Sequence, residues 1–148
     1  MWRALVLVHA LAACVLAGAA VHHAVVGWGQ LCGRPRTRLA RLYARITLLC
    51  YALVFASGAF AYPRFRHLVR AAYMDRFTSW ASALFELKEN LASLGFPLAS
   101  GVFLLSRRLH PDSTRAELRA YACLVAALAA LIAFNLVSGL LITMSKAS

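Results

Sequence analysis

Acidic residues are nearly absent: five Asp and Glu stand against sixteen Lys and Arg in 148 residues, and only 14% of the chain is charged. So few carboxylates fall short of the ligand set of a di-iron bundle. Cysteine is sparse as well. Cys14, Cys32, Cys50 and Cys123 form no Cys-x-x-Cys spacing, which argues against a disulfide scaffold and reads them as small buried hydrophobes. Eight glycines and four prolines exclude collagen. No nucleophile elbow, phosphate loop or Ser/His/Asp set occurs, so no enzymatic activity is expected.

What the chain has in excess is apolar surface. Hydrophobic residues make up 62% of it and the mean hydropathy is +0.70, whereas a soluble domain has roughly 45–50% apolar residues. A soluble core of this length has too little interior to hide that surface, so lipid is the expected solvent. Intrinsic disorder is excluded by the same composition. The formal charge of +11 lies almost wholly in short basic runs between apolar stretches, where it sets topology and meets anionic headgroups. No aromatic-basic motif accompanies it, and no nucleic-acid partner is expected.

Hydropathy predicts an all-α membrane protein of 1–148 as a single domain, with four transmembrane helices at about 4–26, 42–62, 84–105 and 118–144. Short connections favour an antiparallel up-down bundle. The second span is expected to stop at Pro63. The third reaches full length only by including Glu86 to Asn90. Met1-Trp2-Arg3 followed by an apolar run imitates a cleavable signal, and Leu11-Ala12-Ala13-Cys14 resembles a lipobox. The apolar run continues to Val26, which favours an uncleaved span.

Nine arginines in the first and third loops (34, 36, 38, 41, 45, 107, 108, 115 and 119) face six basic residues on the other side (Arg3, Arg64, Arg66, Arg70, Arg76 and Lys146). That excess places both termini outside a bacterial inner membrane. Between spans two and three, Phe65, Leu68, Val69, Ala72 and Tyr73 recur at helical spacing, which predicts a short interfacial helix. Thr114 with Glu117 three residues later predicts a capping box at the start of the fourth span.

Ionisable residues inside spans are where function is sought first. Ser82, Glu86, Glu89, Ser93, Ser100 and Arg107 follow helical spacing, which predicts a polar seam turned to the bundle interior, with Lys88 snorkelling away from it. Glu86 and Glu89 are expected either to pair with Arg64, Arg66, Arg70 or Arg76, or to join His9 in a divalent-metal or proton-handling site. The 14-residue interval from His9 to His23 resembles that between two axial histidines on one helix of di-haem cytochromes b, which implies haem as a cofactor. The second histidine pair such proteins use is missing from the later spans. His22 and His23 read as an interfacial pair. With no catalytic set, the leading expectation is an accessory or scaffold component without a cofactor, partnered by the bilayer and by another membrane protein or a second copy. A cofactor-, proton- or metal-handling bundle using His9, Glu86 and Glu89 is the alternative.

Overall fold

A computed structural model describes residues 2–34 and 36–145. Among these the chain is helical with no strand. Helix α1 (Trp2–Leu31) is followed by α2 (Thr37–Phe65), a π-helical segment (Arg66–Met74), the single turn α3 (Asp75–Phe77), α4 (Ser79–Arg108) and α5 (Arg115–Met144). Three helical runs are long and apolar enough to cross a membrane: Ala4–Leu31, Thr37–Phe77 and Arg115–Met144. Helix α4 is as long as α1 and α5, 30 residues, but Glu86, Lys88, Glu89, Arg107 and Arg108 dilute its apolar character.

Local chemistry explains most of the boundaries. Gly33 adopts φ +75, which lets the Arg34 amide donate to the Gly29 carbonyl (3.0 Å) and the Gly33 amide to Gln30 (3.4 Å). This is a Schellman-type stop for α1 and gives Gly29-x-x-x-Gly33 a capping role. Helix α5 begins with the expected capping box: the Glu117 amide donates to Thr114 Oγ1 (3.3 Å) and the Thr114 amide to Glu117 Oε2 (2.8 Å).

Pro63 does not end α2, contrary to the expectation from sequence. The helix runs through it to Phe65 and continues as the π segment. The proline is exposed, and the amide bond it forgoes comes next to a stretch where the hydrogen-bond register lengthens. The helix expected after span two is therefore present, as a π extension of α2. Phe65 at the end of α2 and Val69, Tyr73 and Met74 of the π segment pack with Ala81, Phe85 and Ile142.

Helices α1, α2, α4 and α5 pack in a ring in that order, each against two neighbours, with α5 returning to α1. Small and large side chains mix in the core: Ala20, Ala40, Ala44 and Ala99 are buried beside Leu16, Tyr51, Val102, Tyr121, Val125, Leu128 and Ile132. Small side chains let helix backbones approach closely where dispersion, rather than the hydrophobic effect, drives association in lipid. The outer surface stays apolar, with Leu7, Val25, Leu49, Phe60, Leu94, Leu104 and Leu140 all exposed.

The four cysteines do not behave as buried hydrophobes. Cys14, Cys32 and Cys123 are exposed and Cys50 is half-buried.

Candidate functional site

Two polar layers cross the ring, and both start on α1. In the first, His23 is only 1% exposed. Its Nε2 lies 2.7 Å from Tyr121 Oη and its Nδ1 3.4 Å from Thr47 Oγ1. Tyr121 Oη also donates to the Ala40 carbonyl (3.3 Å). One imidazole thus ties α1, α2 and α5 together, and both of its nitrogens are occupied by hydroxyls. The pair expected at an interface divides: His22 is exposed and stacks on Tyr43 (ring centroids 5.8 Å, 10°), while His23 is core.

The second layer contains His9, whose Nδ1 lies 3.0 Å from Ser57 Oγ. Ser57 donates its single hydroxyl hydrogen to the Val54 carbonyl (3.0 Å), so its lone pairs are what the histidine N–H meets. A Cβ on Gly58 would sit 3.2 Å from His9 Cε1, so a glycine there lets the imidazole lie close to α2. Lys88 enters from α4. Its Cε is 3.6 Å from where a Cβ on Gly139 would be. Nearby on α5, Asn135 donates to the Leu131 carbonyl (2.9 Å), while its buried Oδ1 has no partner.

This reverses the expected polarity of α4. Glu86, Ser93 and Arg107 are exposed, and Ser82, Glu89 and Ser100 are half-buried. The buried face is Ala81, Gly95, Ala99, Val102 and Ser106. Ser93 and Ser100 donate to their own helix at Asn90 (2.7 Å) and Phe96 (2.9 Å) and so need no partner across the bundle. Lys88 does not snorkel away. It lies seven residues from both Ala81 and Gly95, on the small-residue stripe that faces inward, and that spacing is the signal by which it is found.

Among the described residues His9, Glu86 and Glu89 do not come together as one cluster. Glu86 accepts a hydrogen bond from Arg70 of the π segment, and Arg70 also lies 3.6 Å from Asp75. Ser82 donates to Asp75 (2.6 Å) and closes the cluster. Burial opposes the charge on Arg70, but the hydrogen bond to Glu86 and the charges of Glu86 and Asp75 outweigh it and raise its pKa above the ordinary value. Of the two arrangements expected for Glu86, pairing with loop arginine is the one formed.

Among the described residues no group of three His, Cys, Asp or Glu side chains is placed to hold a metal. The haem expectation meets a similar obstacle, since His23 has neither ring nitrogen free and His9 has one engaged with Ser57. No family model matches the chain, and neither a curated protein nor a solved structure shows a match to it.

Two structural roles escaped the sequence reading. Arg41 donates from Nε to the Ser106 carbonyl (3.3 Å) and from Nη2 to Leu109 (2.6 Å), capping α4 as well as adding positive charge. Tyr51 Oη donates to the Ala92 carbonyl (2.8 Å) and occupies the space beside Gly95.

Proposed function

We propose that this chain is a four-span integral membrane protein of a bacterial inner membrane, folded as an antiparallel up-down bundle and serving as a non-enzymatic accessory or scaffold component. The fourth span is α4. Leu87, Leu94, Phe96 and Leu104 on its exposed surface suit lipid, and its charges are concentrated toward its ends or turned to the bundle. The order of contacts supports the antiparallel reading: His9 meets Ser57 while His23 meets Thr47, so rising numbers on α1 pair with falling numbers on α2. The nine-to-six arginine and lysine bias supports both termini outside, although Lys146 and the side chain of Arg3 lie outside the described residues. The short interfacial helix of this reading is the π segment with its basic side chains.

The observation that carries the scaffold reading is that the polar side chains largely satisfy one another. His23 is taken by Tyr121 and Thr47, His9 by Ser57, and Glu86 by Arg70. Such contacts join helices and leave, among the described residues, no activated nucleophile or acid-base pair. The test is blue-native electrophoresis of membranes solubilised in mild detergent. A discrete species well above the 16.1 kDa chain, reproduced after crosslinking in the intact membrane, is expected. Migration as a free monomer under both conditions contradicts the scaffold role.

A proton-handling bundle is the second reading, and the observation favouring it is Lys88, a half-buried lysine of α4 whose Cε packs against Gly139 of α5. Lys88→Met together with His9→Phe abolishes proton flux into reconstituted vesicles on this reading and leaves it unchanged on the first.

A further inference from the structure

The end of the bundle where α1 stops and α5 starts holds a cleft of about 270 Å³ lined by Gln30, Leu31, Gly33, Arg115, Leu118 and Arg119. Its chemistry is uneven. Gln30 is 3% exposed, yet both its Nε2 and its Oε1 are buried without a hydrogen-bond partner among the described residues. An unsatisfied buried amide is costly, so a side chain held this way calls for a partner that the chain itself does not supply. Arg115 and Arg119, one helical turn apart, add two positive charges. Among the described residues neither is joined to a carboxylate. Arg115 is the first residue of the 30-residue α5 and Arg119 stands one turn further on, while Glu117 between them is turned back to its own N-cap Thr114. Leu31 and Leu118 provide apolar flanks beside this polar set.

We propose that this cleft binds a phosphate anion carrying a neighbouring hydroxyl, the chemistry of a glycerophosphate headgroup. The phosphate accepts from Arg115, Arg119 and the Gln30 Nε2–H, and the hydroxyl donates to Gln30 Oε1, so that both orphaned atoms are satisfied at once. The two leucines then lie where an acyl chain or glycerol backbone leaves the site. The same phosphate chemistry has two sources, an anionic lipid of the leaflet or a soluble phosphate ester. In a membrane chain the lipid is the abundant one.

The test is thermal unfolding of the full chain in phosphatidylcholine nanodiscs. Three conditions are compared: phosphatidylcholine alone, added dioleoyl phosphatidylglycerol, and added inorganic phosphate. Phosphatidylglycerol raises the Tm of the wild type, and Arg115→Gln with Arg119→Gln weakens the apparent affinity by about tenfold or more, the scale of one or two lost charged hydrogen bonds. Gln30→Leu removes the orphaned amide, so it folds at least as stably as wild type in phosphatidylcholine and loses most of the phosphatidylglycerol shift. Protection by inorganic phosphate as well assigns the site to soluble phosphate in addition to lipid. Protection by phosphatidylglycerol alone assigns it to the headgroup. An equal phosphatidylglycerol shift in wild type and both variants, or no shift in any, overturns the proposal. So does a Gln30→Leu chain that is markedly less stable in phosphatidylcholine alone, since Gln30 would then have a native partner within the chain.

Discussion

At the residue scale, the contact between Tyr51 and Gly95 makes the sharpest demand. A Cβ on Gly95 would overlap both Oη and Cζ of Tyr51, closer than packed atoms allow. Gly95→Ala is therefore expected to destabilise the folded bundle by about 1–3 kcal/mol, the usual scale of overpacking. Chemical unfolding in detergent micelles measures it. Adding Tyr51→Phe recovers only part of the loss, because the ring carbon remains in the way when the hydroxyl is gone. At His23 the opposite operation is informative. Tyr121→Phe leaves Nε2 without its hydroxyl partner and is expected to cost about 1 kcal/mol. A double-mutant cycle with His23→Leu should return a coupling energy of similar size, and a coupling of zero would mean that the two side chains act independently.

Neither of these contacts was legible in the sequence, and the reason is physical. Tyr121 lies 98 positions from His23 and Thr47 lies 24 away. Periodicity describes one helix at a time and carries no information on which faces meet. What could be read was local: the Thr114–Glu117 box, the helical run after Pro63 and the pairing of Glu86 with a loop arginine. Spacing alone cannot turn the α4 seam inward, because Ser93 and Ser100 return their hydroxyls to their own helix.

At the element scale, helix ends are held by few groups and respond to single substitutions. Arg41 supplies two charged donors to the carbonyls that end α4, groups a helix terminus otherwise leaves unpaired. Arg41→Gln is expected to quicken hydrogen exchange at the Leu109 amide, which donates to Ser106, by several-fold on the scale of about 1 kcal/mol. Exchange elsewhere in α4 should hardly change. The π segment depends on Arg70, whose partners Asp75 and Glu86 are themselves largely exposed. Glu86→Gln should therefore lower global stability by less than about 1 kcal/mol, and less at high salt. A larger, salt-independent loss would place Glu86 in the bundle interior after all.

At the scale of the whole molecule, the charge balance that begins with so few acids becomes a sorted pattern. Basic side chains gather mostly at the helix ends, and two polar layers stitch the ring from within. Three runs satisfy the requirements for crossing a membrane by length and apolarity, and α4 decides between three crossings and four. That decision fixes the placement of Lys88 and of the cleft beside Gln30.

It is tested most directly by labelling with a membrane-impermeant maleimide in right-side-out vesicles. In a chain with Cys14, Cys32, Cys50 and Cys123 replaced by alanine, one reporter is Asp75→Cys, before α4, and the other is Asp112→Cys, after it. Four spans with both termini outside predict that Asp75→Cys reacts in sealed vesicles and Asp112→Cys only once they are opened. Reaction of both from the same side would mean that α4 does not cross, and would contradict the four-span bundle.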